Sequence, residues 1–236
     1  MNDLKKFELK QRFNNLLTAT GRRGMDRLLN WLEHDSDFYT APASTKYHLS
    51  VECGLLQHSL NVYDALVGMM EPMEDAECPE PGCGETYYQF KVAGVPVGAW
   101  KESTLAITAL LHDICKVNTY MQELKNRKVY KETGSKKDSQ GRYDWESYMG
   151  YTFKDEDLPY GHGEKSVMLL MSFIGLNMEE KLAIRWHMGA FGLHDSREEN
   201  TLTNACKRTP LVFALMQADQ MASIYMEEEE QNKPGF

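Results

Sequence analysis

The chain has 236 residues, of which 42% are hydrophobic and 26% charged, and its formal net charge is -9 at pH 7. A chain of this length can bury a sizeable core as one domain, and the acidic balance excludes non-specific adhesion of the whole molecule to nucleic acid. No apolar run reaches membrane-spanning length and no N-terminal signal pattern is present, so the expectation is a cytoplasmic protein with no membrane partner.

Residues 3–19 and 22–34 read as two amphipathic helices split by Thr20-Gly21, with Leu28, Leu29, Trp31 and Leu32 on the apolar face of the second. A loop over 35–50 leads to a long helix, about Gly54 to Met70, whose stripe runs Leu55, Val62, Ala65, Leu66 and Met69. His58 falls on that stripe and is directed inward. Residues 71–84 form an acidic Pro/Gly/Cys loop. The five cysteines, Cys53, Cys78, Cys83, Cys115 and Cys206, read as free thiols. A zinc clip at Cys78 and Cys83 would need two further ligands.

Tyr87 to Val92 and Val95 to Ala99 flank Ala93-Gly94 and predict a short β-hairpin. Ser103 to Val117 predicts a mostly buried helix that delivers His112 and Asp113, with Lys116 one turn further. The polar, Gly-punctuated stretch 118–160 reads as an inserted hairpin or lid. From Lys116 to Arg142 it carries eight Lys/Arg against three acids, a local charge of +5. Gly161-His162-Gly163 opens the next helix, to about Gly175. Met178 to Met188 carries Arg185 and His187. Pro210 starts a last apolar helix that carries Asp219, and an acidic flexible tail is expected over 226–236.

The chain has only 7 histidines. A single histidine on an apolar stripe is ordinarily a packed core residue. Buried carboxylates are harder to explain, because each costs several kcal/mol unless a cation compensates it. Four imidazoles (His58, His112, His162, His187) and two carboxylates (Asp113, Asp219) on separate helices are the donors that borderline divalent ions prefer. His34 and His194-Asp195 read as surface positions.

The order His, His-Asp, His, His, Asp on successive helices resembles the HD-domain superfamily of metal-dependent phosphohydrolases. Tyr47-His48 with Gly54-Leu-Leu-Gln-His58-Ser-Leu-Asn-Val62 resembles the opening of the HD domain in bacterial 3′-to-5′ exoribonucleases. Leu110-Leu-His-Asp-Ile-Cys-Lys116 is similar to the LLHDxGK signature, and Gly161-His162-Gly163, Arg185-Trp-His187 and Ala218-Asp219 are similar to the later segments. The resemblance spans about 36–225. Three departures stand out: Cys115 replaces the usual glycine, Met188 stands where many nuclease-like members have a second histidine, and the stretch from Lys116 to His162 is long.

The resemblance implies an all-α HD-domain helical bundle with small inserted β-hairpins. It would be one domain over 1–236, with N-terminal helices over 1–35, a core over 36–225 and a basic insert over about 118–160. It implies two divalent metal ions, with Mn, Fe, Mg, Ni and Zn not distinguished. His58, His112, Asp113 and Asp219 would hold one ion, and Asp113 would bridge to a second held by His162 and His187. The implied activity is hydrolysis of a phosphoester of a nucleotide or short oligonucleotide by hydroxide held on the metal. Lys116 and Arg185 would stabilise the transition state. His48, Lys125, Arg127 and Lys128 would bind substrate. Three readings compete with this one: a 3′-to-5′ nuclease or phosphodiesterase on longer nucleic acid, a di-iron HD-type oxygenase similar to myo-inositol oxygenase, and a sensor or partner-binding module that keeps metal for structure.

Overall fold

The computed structural model describes residues 2–154, 158–191, 193 and 195–227. Helices α1 (Asp3–Ala19) and α2 (Met25–His34) form a hairpin at the N-terminus. Phe13 and Leu17 of the first and Leu28 and Leu32 of the second are buried, with Leu29 and Trp31 packed partly against the core. Arg22, in the turn between them, makes a forked ion pair with the fully buried Glu180 at 2.6 and 2.9 Å.

Helix α3 (Gly54–Gly68) is the centre of the molecule, and eleven of its 15 residues are buried. Its start is fixed by close backbone approach: a Cβ on Gly54 would lie 2.1 Å from the Leu49 carbonyl oxygen. Helix α3 packs on α4 (Glu102–Leu111) and on α8 (Leu211–Met221). Helix α6 (Met178–Trp186) packs on α8 and on α5 (His162–Met171). Helix α7 (Ser196–Arg208) covers α6 and α8.

The expected all-α class is corrected by the strands. Among the described residues eight α-helices are joined by two three-stranded antiparallel sheets, which makes the protein a mixed α and β structure. The first sheet, in order β1 (Met70–Pro72), β2 (Tyr87–Val92), β3 (Val95–Lys101), contains the predicted hairpin and adds an edge strand. Met70, Phe90 and Trp100 anchor it to the helical core. In the second, strands β4 (Tyr120–Tyr130) and β6 (Gly141–Phe153) form a long ribbon, with β5 (Lys136–Asp138) on the far edge of β6. Most of this ribbon is exposed on both faces. It therefore lacks the period-2 burial pattern that marks a strand in a sequence, and backbone pairing with cross-strand contacts holds it together.

Two further differences bear on the site. The predicted helix over 103–117 ends at Leu111, and a 3-10 turn over Ile114–Lys116 follows. Helix α7 was not expected. Asp195 caps its N-terminus, accepting hydrogen bonds from the backbone N–H groups of Arg197 (2.8 Å) and Glu198 (3.0 Å), the ordinary task of an N-cap aspartate. His194 lies outside the described residues.

Candidate metal centre

The helix ends of the bundle bring His58, His112, Asp113, His162, His187 and Asp219 into one place. Each histidine but one comes from the end of a helix. His112 and His187 follow the last residues of α4 and α6, where backbone carbonyls lack helical partners. Each uses its Nδ1 to fill that deficit: His112 donates to the Ala109 carbonyl at 2.8 Å and His187 to the Ile184 carbonyl at 2.7 Å. A carbonyl can only accept, so Nδ1 carries a proton and Nε2 is the atom turned towards the aspartates.

His58, in the middle of α3, is oriented the same way by another route. Its Nδ1 lies 2.9 and 3.1 Å from the two carboxylate oxygens of Glu227, which also accepts from Asn61 Nδ2 at 2.9 Å. The three Nε2 atoms then converge on the two aspartates. The Nε2 atoms of His58 and His112 face each other at 3.3 Å. His58 Nε2 is 3.2 Å from Asp219 Oδ1. His187 Nε2 sits 3.3 Å from Asp113 Oδ1 yet makes no hydrogen bond among the described residues. Nitrogens and carboxylate oxygens gathered this closely need a cation among them, either a proton or a metal ion, and a second partner that orients each imidazole is the usual support of metal-binding histidines. This donor set, imidazole nitrogen and carboxylate oxygen, fits a borderline divalent ion.

Asp113 is the hub. Its Oδ1 is 2.7 Å from His162 Nε2, and its Oδ2 is 2.6 Å from Lys116 Nζ, 3.4 Å from His112 and 3.5 Å from His58. Burial alone would raise its pKa, but Lys116, His112 and His162 outweigh it and hold the carboxyl well below the ordinary range. Burial works against the protonated forms of His58 and His162 as well. Asp219 and Glu227 overcome it at His58, pushed up to about 10, and Cys115 and Asp113 overcome it at His162, pushed up to about 9. Both places favour positive charge. Four overlapping groups of donors lie here: His58, His112 and Asp219; His112, Asp113 and His187; Asp113, Cys115 and His162; and His48, His58 and Glu227.

A close approach between α5 and α6 places His162 beside His187. A Cβ on Gly163 would lie 2.1 Å from the Arg185 carbonyl oxygen, so only glycine permits the contact. Gly163→Ala is expected to push the two helices apart at a cost of about 1–3 kcal/mol, the range for overpacking. It should also weaken metal retention by separating the two histidines. Urea denaturation and metal analysis would check both effects, and wild-type values in both would refute this role.

The remaining predicted residues are placed unevenly. The His48 ring lies 4.9 Å from His58, its Nε2 is buried without a hydrogen bond among the described residues, and burial with neighbouring His58 lowers its pKa to about 4. Arg185 pairs with Glu164 and lies over the Trp186 ring at 3.9 Å, on the wall of a cleft of about 400 Å³ that His162 shares. Lys125, Arg127 and Lys128 are carried away by the ribbon. They lie five to eight residues beyond Tyr120, roughly 16–26 Å along a strand rising about 3.3 Å per residue. Lys125 donates to the Tyr151 carbonyl, Arg127 lies over Tyr148, and Lys128 pairs with Asp138 at 2.7 Å. The partner strand also brings Asp144, which pairs with Lys131 at 2.8 Å, and Glu146, which is in register with Arg127. Seven basic residues thus face five acidic ones over 120–153, and the ribbon has mixed charge. Cys78 and Cys83 belong to none of the ligand groups among the described residues.

The cations that do reach the site are others. A cavity of about 260 Å³ beside His162 is lined by Cys115, Lys116, Tyr120, Phe153, Lys154 and Lys165. Sequence reasoning missed Lys154, Lys165 and Glu227. The last was expected in the solvated tail, but its side chain is fully buried against His58. The available signal was its spacing from Asp219. A π-helical turn over Ala222–Met226 continues α8. A π turn takes up about one extra residue, so Glu227 falls where the residue before it would lie on an uninterrupted α-helix, near the face of Asp219.

No family model matches the chain, and no curated protein or solved structure is similar to it at a significant level. Among the described residues no helix is long and apolar enough to cross a membrane.

Proposed function

We propose that this protein is a divalent-metal-dependent phosphohydrolase that cleaves a phosphoester of a nucleotide or short oligonucleotide. The observation that carries the reading is the convergence of three oriented imidazole Nε2 atoms and a fourth histidine on two aspartates, with Asp113 shared. The order of these residues along the chain, similar to that of the HD superfamily, supports it. His58, His112 and Asp219 would hold one ion, His162 and His187 a second, and Asp113 would serve both. Divalent ions held by these residues would supply an acidified water as nucleophile and positive charge for the phosphorus oxygens.

The chain's own residues do the rest. Asp113 keeps its charge and ties the two sets of donors together. Glu227, Ala109 and Ile184 fix the tautomers of His58, His112 and His187. Lys116, whose pKa burial would lower but Asp113 raises above its ordinary value, stays cationic. It lines the cavity with Lys154 and Lys165, and this concentration of positive charge suits a phosphate group on an otherwise acidic molecule.

The test combines metal analysis of protein purified without added metal with hydrolysis of bis(p-nitrophenyl) phosphate under Mn²⁺, Mg²⁺, Fe²⁺ and Ni²⁺. Chelation should abolish turnover and a divalent ion restore it. The apparent metal affinity should fall as pH drops below about 9, because protons held by His58 and His162 compete with the ion and must leave on binding. Protein that binds none of these ions would refute the reading. Turnover that requires iron and consumes dissolved oxygen would replace it with the oxygenase.

A further inference from the structure

The residue that departs most from the resembled signature is Cys115, and its surroundings are those of a ligand. Its Sγ lies 3.3 Å from His162 Nδ1 and 3.6 Å from His162 Nε2, and Asp113, Cys115 and His162 offer ligand atoms that all lie within 4.8 Å of one another. An ion with sulfur at about 2.3 Å and nitrogen at about 2.0–2.1 Å in tetrahedral array sets those two atoms roughly 3.5 Å apart. The position of the thiol is imposed by the fold. The backbone N–H of Cys115 donates to Ser166 Oγ at 3.2 Å, one turn along α5 from His162, so sulfur and imidazole are held on one frame. An independent feature points to an ion here. His187 Nε2 belongs to a residue only 2% exposed, has no hydrogen-bond partner among the described residues, and is aimed at the same Asp113 oxygen that faces His162.

We propose that Cys115 is a thiolate ligand of the second ion, beside Asp113, His162 and His187. This assignment rests on the metal-dependent reading above and refines it. As the metal–sulfur bond forms, the thiol proton passes to solvent. Sulfur changes which ion the site takes. Hard, oxygen-seeking Mg²⁺ gains little from thiolate, whereas Zn²⁺, Co²⁺ and Fe²⁺ gain strongly. The second position is therefore a mixed nitrogen, oxygen and sulfur site for a thiophilic ion, and the first, with no sulfur in its set, is the less selective of the two. The other four cysteines lie outside every ligand group among the described residues, so the optical signal of a metal–sulfur bond would report Cys115 alone.

The full-length protein loaded with Co²⁺ tests this. Wild type should show visible ligand-field bands together with a near-ultraviolet sulfur-to-cobalt charge-transfer band. Cys115→Ser should lose the charge-transfer band while retaining visible bands from the first ion. In competition titrations Cys115→Ser should bind Zn²⁺ at the second site about tenfold or more weakly, as for loss of a ligand-shell interaction, with Mn²⁺ affinity changed far less. Cys115→Ala, checked for an unchanged far-ultraviolet circular dichroism spectrum, should match it, which separates lost ligation from lost folding. Visible bands without a sulfur band in wild type, or a sulfur band that survives Cys115→Ser, would overturn the assignment and leave the metal-dependent reading intact. Failure of wild type to take up Co²⁺ at all would overturn both.

Discussion

Asp113→Asn is expected to strip metal from the protein and reduce phosphodiester turnover by a thousandfold or more. That corresponds to about 4 kcal/mol of transition-state stabilisation, the scale on which bound ions act. The substitution keeps the size of the side chain and removes its charge, so packing changes little. Electrostatics change a great deal, because the carboxylate faces Lys116 at 2.6 Å, His162 at 2.7 Å and His187 at 3.3 Å. The amide offers one oxygen where two are needed and turns an N–H₂ group towards a cation or a donor. Lys116 would be left mostly buried without its counter-charge, and breaking a buried pair costs about 3–5 kcal/mol. Stabilisation by bound metal would also vanish, since metal binds only the folded state. Elemental analysis, turnover and thermal denaturation with and without chelator measure the three effects. Full metal content with wild-type turnover in this variant would sink the metal-dependent reading.

Glu227→Ala should have the next largest effect, and a different one. This residue is not among the ligands assigned to either ion, although its carboxylate, His48 and His58 lie close enough together to hold one. It sets the tautomer of His58 and accepts from Asn61. Truncation leaves two buried polar groups without partners, at about 1–3 kcal/mol each. It also frees the imidazole to turn. Metal affinity should fall by about 10–100-fold, the range for lost outer-shell partners of metal-binding histidines, while turnover at saturating metal stays near wild type. Glu227→Gln should recover most of the loss, because its amide oxygen still accepts from His58 Nδ1. Calorimetric titration with Mn²⁺ separates these outcomes from a general loss of folding. Equal losses in Glu227→Ala and Glu227→Gln would show that charge, and not orientation, is what Glu227 supplies.

The sequence by itself determined the elements that bury an apolar stripe. Helices α1 to α3, α5, α6 and α8 and the β2–β3 hairpin were legible because a face of each meets the core and prints a period on the residues, and α4 was legible as an apolar run buried on all sides over Thr104 to Leu111. The candidate ligands were legible for a related reason: histidine and aspartate among buried aliphatics are costly enough to stand out. What burial does not print was decided only by the tertiary structure. The long ribbon was read as a lid with a basic character because its partner strand, which supplies Asp144 and Glu146, lies some distance along the chain. Pairing places acid opposite base, so a charge count over one strand overstates the field of the sheet. Helix α7 was missed because Ala205 is its only buried residue, and the stripe it makes with the partly buried Leu202 and Cys206 is too short to stand out among polar neighbours. Glu227 was assigned to solvent among three neighbouring glutamates, since nothing local distinguishes the one that a π turn directs onto His58. The orientation of the histidines was equally hidden. It depends on which carbonyl or carboxylate faces each Nδ1, and those partners are fixed by helix ends and by packing between segments up to 169 residues apart.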